Sequence, residues 1–286
     1  MSTFLEELLH AKKNTCAVGA FNILNHLSAS AVIQGASELE CPVILQTSVT
    51  TVRKFGHVEL GAMLRQLAHQ ASVPVLIHLD HCKDVELAKA CIDAGWDSVM
   101  YDGSWLPLEE NIENCHKVVS YAHSKGVQVE GELGTIAGVE DDIKVEDGTE
   151  RGVNLEEAIR FVRESGIDAF APAIGTAHGV YKGIPKIDYE LIKQLHEKVE
   201  TPLVIHGGTG LSEEAFTRLI QNGASKVNVS TAIKHAYIDG YKEYFVDNPG
   251  KLDPLGLDRY VENKIKEVAM AHMRIFRQIM KGAVNG

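Results

Sequence analysis

Short apolar runs rich in β-branched residues alternate along the chain with amphipathic segments of helical length. There are eight such runs, and each is followed by a helix-length segment. The predicted strands cover residues 17–21, 42–47, 75–79, 98–101, 127–133, 169–174, 203–206 and 226–229. The predicted helices cover residues 26–39, 57–71, 84–94, 109–124, 155–165, 188–199 and 212–222, with another from residue 231. Continuous apolar strands without tight hairpin signals predict a parallel sheet.

Local signals mark the ends of several of these helices. Glycines lie where left-handed C-caps are expected, at Gly95, Gly126, Gly166 and Gly223. Side chains suited to N-caps precede three amphipathic runs, at Asp84, Asn154 and Ser212. These boundaries support the strand–helix alternation.

Eight strand–helix units in one chain favour a (β/α)8 barrel, the TIM barrel, over an open doubly wound sheet. The open sheet typically carries a G-x-G-x-x-G turn after its first strand, whereas residues 21–25 read FNILN. The segment 236–282 exceeds eight units and predicts extra C-terminal helices that close the barrel or contact a partner subunit. We therefore predict one α/β domain over residues 1–286.

Composition narrows the classes of partner and compartment. The 28 basic and 39 acidic residues give a net charge of −11, which would repel the phosphate backbone of a nucleic acid. No apolar stretch is long enough to span a membrane, and the first residues do not resemble a signal peptide. The five cysteines include no C-x-x-C pair. We expect a cytoplasmic protein that binds neither nucleic acid nor membrane.

Polar residues follow the predicted strands at their carboxyl ends, where all βα loops of a barrel meet. Strands three, six and seven end at His81, His178 and His206. Three imidazoles on one face could hold zinc and leave a fourth position for substrate. A strand-end histidine can also be a structural hydrogen-bonding group, but three together favour the metal. His78 shares the strand face of Asp80 by alternation and would either support the site or pack in the core.

Glycine clusters suggest a second feature on the same face. The loop 206–210 reads HGGTG after strand seven, and residues 228–231 read NVST after strand eight. Barrels build phosphate sites at this position from backbone N–H groups and a helix N-terminus. Either loop alone could simply turn the chain tightly, but the two together favour phosphate. The glycine-rich segment 132–142 could close over substrate as a lid carrying Glu140, or be a solvated acidic loop.

These residues together resemble the class II, zinc-dependent ketose-bisphosphate aldolases, in the tagatose- and fructose-bisphosphate aldolase branch. The resemblance covers nearly the whole chain and follows the family order. Its motifs are Ala20-Phe21-Asn22-Ile23, His78-Leu79-Asp80-His81, Glu130-Gly131-Glu132-Leu133-Gly134, Gly138-Val139-Glu140-Asp141-Asp142, Gly175-Thr176-Ala177-His178-Gly179, His206-Gly207-Gly208 and Lys226-Val227-Asn228-Val229.

The resemblance implies a ligand set for the metal. His81, His178 and His206 would hold the catalytic zinc, while Asp102 and Glu132 match positions that can bind a second or displaced metal ion. A monovalent cation, Na⁺ or K⁺, near the phosphate is also implied. Class II enzymes lack a Schiff-base lysine, so a divalent cation must offset the charge of the enediolate.

The resemblance also implies roles in catalysis and substrate binding. Asp80 would take the C4-hydroxyl proton during cleavage, Glu140 would exchange the C3 proton of dihydroxyacetone phosphate, and Asn228 would steady the enediolate. The phosphate would be bound by Gly179, Gly207, Gly208, Thr209, Asn228, Val229, Ser230 and Thr231.

The expected reaction is the reversible cleavage of tagatose or fructose 1,6-bisphosphate to dihydroxyacetone phosphate and glyceraldehyde 3-phosphate, by a homodimer or homotetramer in carbohydrate metabolism such as glycolysis. The chain departs from the family at Asp253-Pro254-Leu255, where many relatives carry Asp-Pro-Arg, so the resemblance does not specify the aldehyde half of the substrate. The alternatives are an aldolase for another ketose 1-phosphate, a metal-dependent phosphosugar isomerase or epimerase, and a non-catalytic sugar-phosphate sensor.

Overall fold

A computed structural model describes residues 2–140, 143–145, 152–178 and 185–277. Its strands are β1 (Val18–Asn22), β2 (Val43–Ser48), β3 (Val75–Cys82), β4 (Ser98–Tyr101), β5 (Gln128–Leu133), β6 (Ala137–Glu140), β7 (Ile143–Val145), β8 (Ala169–Pro172), β9 (Ala177–His178), β10 (Leu203–Ile205) and β11 (Ala224–Val229). Eight of them form a closed parallel barrel in the order β1-β11-β10-β8-β5-β4-β3-β2. The predicted barrel is confirmed.

Helices alternate with the barrel strands. They are α1 (Phe4–Lys13), α2 (His26–Glu38), α3 (Val49–Phe55), α4 (His57–Gln70), α5 (Val85–Asp93), α6 (Leu108–His123), α7 (Leu155–Ser165), α8 (Tyr189–Lys198), α9 (Glu213–Gln221), α10 (Thr231–Asp247) and α11 (Pro254–Arg277). The predicted caps are confirmed: Asp84, Asn154 and Ser212 each accept hydrogen bonds from first-turn N–H groups. Gly166 ends α7 at φ 73°, in the left-handed region that glycine adopts without strain. Among the described helices, none is long and apolar enough to cross a bilayer.

The barrel is closed at its amino-terminal end by the helix that begins the chain. Thr3 caps α1, and Thr3 and Glu6 form a capping box. Phe4 and Leu8 are fully buried and pack against the lowest inward-facing side chains of the strands, such as Ile44 and Leu76. This helix lies before the first predicted element, so its position at the end of the barrel was not predicted from the sequence.

The predicted segment 236–282 contains the end of α10, the helix of the eighth unit, and one helix beyond the eight units, α11. The α11 helix packs against α2 and β1, and Phe276 contacts Phe216 of α9 with ring centroids 5.2 Å apart. It therefore covers the side of the barrel where the first and last units meet.

Two features differ from the predicted elements. The segment expected as a loop forms a small sheet, in which β6 pairs antiparallel with β7 and parallel with β9. The helix predicted from residue 57 is preceded by an unpredicted helix, α3, which Gly56 separates from α4. A glycine at φ 85° lets the chain change direction between the two helices.

Candidate active site

A backbone irregularity in β3 brings two neighbouring polar side chains to the same place. Strict alternation would send Asp80 and His81 to opposite faces of the sheet. Between Leu79 and Cys82 the register with β4 shifts, which places one extra residue in β3. His81 itself has φ 48°, a left-handed conformation that is unusual for histidine. Both ligand atoms consequently lie in one group with His206, within 4.8 Å of one another.

His81 and His206 face each other above the barrel interior. His206 Nδ1 lies 2.9 Å from His81 Nε2, and the two rings meet edge to face. The loop after β10 supplies His206, and both residues are buried. The structure thus brings together two of the three predicted histidine ligands.

The third predicted histidine is described only through its backbone. His178 ends β9 and pairs with Gly138 of β6. Its side chain lies outside the described part of the structure, so its role as a ligand stays a prediction. The same holds for Glu140, whose backbone is in β6, and Gly179 lies outside the described residues altogether.

Two buried carboxylates from the next strands complete the cluster. Asp102 Oδ2 lies 3.2 Å from His81 Nδ1. Glu132 Oε2 lies 3.3 Å from His206 Nδ1 and 3.8 Å from His81 Nδ1. The ligand atoms of His81, Asp102 and Glu132 form a second group within 4.8 Å.

The buried charges shift the protonation of these groups. Burial raises the pKa of Glu132 well above its usual value, and the charge of Asp102 adds to this effect. Burial opposes the charged form of His81, but the carboxylate of Asp80 and the hydrogen bond with Asp102 raise its pKa well above the usual value. The pKa of Asp102 is lowered despite its burial, because His81 and Ser104 hydrogen-bond it.

The donor set fits a divalent metal ion. Imidazole nitrogens and carboxylate oxygens are the ligands that zinc takes at catalytic sites. Glu132 Oε2 is buried and has no hydrogen-bond partner among the described residues. A carboxylate oxygen in that position costs free energy unless a cation balances it. His81, His206, Glu132 and Asp102 are therefore suited to hold such an ion.

Asp80 lies beside this group in a cradle of amides. Its Oδ2 accepts from Asn22 Nδ2 at 2.8 Å and from Gln46 Nε2 at 3.3 Å. Its Oδ1 accepts from Asn228 Nδ2 at 3.4 Å. Asn22 and Gln46 were not predicted as site residues, although both lie at the carboxyl ends of strands, where the rule that identified the histidines also applies.

The glycine loop after β10 lies against the end of β11. Gly207 has φ 69°, and a Cβ there would lie 2.4 Å from the carbonyl oxygen of Ala177. A Cβ on Gly208 would lie 2.6 Å from the carbonyl oxygen of Asn228. Both contacts require glycine, so the loop approaches its neighbours closely.

The same loop is tied to the first turn of α10. Thr209 Oγ1 accepts a hydrogen bond from the backbone N–H of Ala232 at 3.3 Å. Val229 ends β11, Ser230 precedes the helix and Thr231 begins it. Ser230 Oγ is buried without a hydrogen-bond partner among the described residues. The predicted phosphate-binding residues from 207 to 209 and from 228 to 231 are thus adjacent at a helix N-terminus, a place suited to an anion.

The fold and a match to a known sequence family together define the class of protein. The sequence model of the family described as fructose-bisphosphate aldolase class-II matches residues 2–281. The chain therefore belongs to the class II fructose-bisphosphate aldolase family, and family membership supports aldolase activity, a carbon–carbon lyase reaction, on a sugar phosphate.

Solved structures of aldolases resemble the chain over nearly its whole length. The YdjI aldolase from Escherichia coli K12 is 30% identical with a TM-score of 0.85, covering 96% of this chain and 97% of that one. A putative fructose-1,6-bisphosphate aldolase from Coccidioides immitis is 28% identical with a TM-score of 0.87, covering 98% of each chain. Fructose-bisphosphate aldolase from Campylobacter jejuni, 23% identical with a TM-score of 0.77 over 96% of this chain and 93% of its own, shares the fold.

Proposed function

We propose that this chain is a zinc-dependent aldolase that reversibly cleaves a ketose 1,6-bisphosphate, tagatose or fructose, into dihydroxyacetone phosphate and glyceraldehyde 3-phosphate. The observation that carries the proposal is the position of Asp80, a buried carboxylate held by three amides and grouped with His81 and His206. A base next to metal-binding side chains is what cleavage of a bond one carbon removed from a carbonyl requires.

Zinc is the metal we assign to the cluster. His81 and His206 would hold it with Glu132, Asp102 and, by family resemblance, His178. When bound, zinc supplies a Lewis acid that offsets the negative charge developing on the substrate as the carbon–carbon bond breaks.

The remaining roles belong to side chains around the cluster. Asp80 accepts the proton of the C4 hydroxyl in cleavage and returns it in condensation. Its three amide partners hold the carboxylate in place, because each directs an N–H toward one of its oxygens. Asn228 donates its amide N–H to the substrate oxygen where charge develops, and Glu140 exchanges the C3 proton of dihydroxyacetone phosphate.

The phosphate of the triose half would bind at the α10 N-terminus and the adjoining glycine loop. The Ser230 hydroxyl, which has no hydrogen-bond partner among the described residues, and the close approach at Gly208 support this placement. Backbone N–H groups at a helix N-terminus favour a negatively charged ligand, so a phosphate site of this kind does not require a lysine side chain.

We also propose a homodimer or homotetramer in the cytoplasm. Five of the nine large apolar side chains that the described residues expose lie between Ile238 and Leu255, in α10, the connection after it and the start of α11. Such a concentration is typical of an interaction surface. The five free cysteines support a reducing compartment.

A coupled assay for triose phosphate release tests the proposed reaction. We expect tagatose or fructose 1,6-bisphosphate to release dihydroxyacetone phosphate, a chelator to abolish the release, and added Zn²⁺ to restore it. Consumption of the ketose without triose would instead indicate an isomerase or epimerase. Binding of sugar phosphate that is indifferent to the chelator, without turnover, would indicate a sensor.

A further inference from the structure

An ion pair lies inside the barrel, below the residues assigned to catalysis. Lys226 of β11 and Glu130 of β5 are both completely buried, and Lys226 Nζ lies 2.8 Å from Glu130 Oε2. Burying two charges carries a large desolvation cost, which their mutual attraction repays only in part. The pair therefore needs further hydrogen bonds to be tolerated, and both of its members make them to site residues.

Glu130 uses its other oxygen to orient a proposed metal ligand. Glu130 Oε1 lies 2.8 Å from His206 Nε2. A carboxylate can only accept a hydrogen bond, so the proton of the neutral His206 ring is held at Nε2. The lone pair of the ring is then at Nδ1, on the side away from Glu130. That nitrogen is the atom that faces His81 at 2.9 Å and Glu132 at 3.3 Å.

Lys226 uses a second N–H to orient the amide of Asn228. Lys226 Nζ lies 2.8 Å from Asn228 Oδ1. An ammonium group can only donate, so the amide oxygen must face Lys226 and the NH₂ group must face away from it. The NH₂ group is the part of Asn228 that lies 3.4 Å from Asp80 Oδ1.

We infer that Lys226 is a positioning residue of this active site. Through Glu130 it fixes the ring of His206 for metal binding, and directly it fixes the amide of Asn228 with its donors toward Asp80 and the substrate. Lys226 and Asn228 lie two residues apart in β11, so both side chains point into the barrel. One buried ammonium thus connects the metal ligand and the proposed amide donor.

The catalytic part of this inference rests on the proposed aldolase function, whereas the metal part does not. Lys226→Met keeps the length of the side chain and removes its donors. Lys12→Met is a matched control, because Lys12 donates to the carbonyls of Val199 and Glu200, away from the site.

The metal readout is zinc affinity, measured by competition with a chromophoric chelator. We expect Lys226→Met to bind zinc about 10–100-fold more weakly than the unaltered protein, the usual effect of losing a group that orients a ligand. Lys12→Met should bind zinc as the unaltered protein does. An affinity for zinc within about threefold of the unaltered protein in Lys226→Met would overturn the link to His206.

The second readout is a double-mutant cycle with Asn228→Ala in the triose-release assay. If Lys226 acts through Asn228, kcat falls in each single variant, and adding Asn228→Ala to Lys226→Met lowers kcat little further. KM should change less than kcat. Additive losses would overturn the link to Asn228.

Loss of Lys226 leaves Glu130 unpaired, which could unfold the single variant. The double variant Lys226→Met, Glu130→Gln removes both charges, and such replacements are often tolerated. We expect it to fold, as judged by thermal unfolding, and still to bind zinc weakly, because a neutral amide in place of the Glu130 carboxylate would hold the Nε2 proton of His206 less strongly. If the unaltered protein releases no triose, the proposed function fails, while the zinc affinities still decide the metal part.

Discussion

Replacing Asp80 by asparagine removes the proposed base while keeping its shape. The carboxylate has three amide donors, with Asn22 and Gln46 on Oδ2 and Asn228 on Oδ1. In Asp80→Asn, the single carbonyl oxygen can accept either from Asn22 and Gln46 or from Asn228. The new NH₂ group must then face an N–H donor at the other position. The cost to stability is about 1–3 kcal/mol, the usual penalty for a buried polar group left without a partner.

The loss of activity should be much larger than this structural cost. A positioned acid–base group contributes about 10²–10⁴ in rate, which corresponds to about 3–5 kcal/mol in the activation barrier. We therefore expect kcat for triose release to fall by about 10²–10⁴ in Asp80→Asn and in Asp80→Ala, while zinc binding is retained.

The assay combines kinetics, zinc content and thermal unfolding for each variant. Asp97→Asn is a suitable control, because Asp97 precedes β4 at the opposite end of the barrel, where it pairs with Arg65 and accepts from the N–H of Ile77. It should lose stability but not kcat. Zinc lost in proportion to activity in Asp80→Asn would refute the assignment of Asp80 as a base, as would a kcat within tenfold of the unaltered protein.

Three further predictions concern the cluster and the glycine loop. His206→Ala should weaken zinc binding by more than roughly 100-fold, which is the largest loss expected for a residue that only orients a ligand. A smaller loss in a chelator titration would exclude His206 as a zinc ligand. Without metal, thermal stability should fall as pH rises above 6.5. The raised pKa of His81 gives stability that is complete below 6.5 and is lost as pH rises through its folded pKa. Glu132, whose pKa is raised above 4.5 in the folded state, adds to the fall, because the folded protein holds a proton there that the unfolded chain has already lost. Added zinc should oppose this trend, since its ligands bind deprotonated; stability that rises with pH without metal would contradict the assigned shifts. Gly208→Ala places a Cβ 2.6 Å from the carbonyl oxygen of Asn228, so the glycine loop must shift. We therefore expect a higher KM for the phosphorylated ketose and a nearly unchanged affinity for zinc. An unchanged KM would argue against a phosphate site at this loop.

The site could be predicted only as far as strand ends are visible in the sequence. His81 and His206 follow apolar runs, so their convergence on one face was foreseeable and is confirmed by their contact at 2.9 Å. Asn22 and Gln46 follow equally clear runs but are common uncharged residues, and nothing local distinguishes them from turn residues. Their role is visible only where they meet Asp80 across neighbouring strands.

The alternation of continuous apolar runs with amphipathic segments by itself determined the eight βα units, because a barrel strand is buried on both faces and each covering helix must bury its apolar face. Tertiary structure alone decided the features that depend on close contact between distant residues. The bulge that turns Asp80 and His81 to one side arises from the pairing of β3 with β4. The ion pair of Glu130 with Lys226 joins residues 96 positions apart. No local pattern encodes such contacts, because their free energy exists only once the barrel has closed around them.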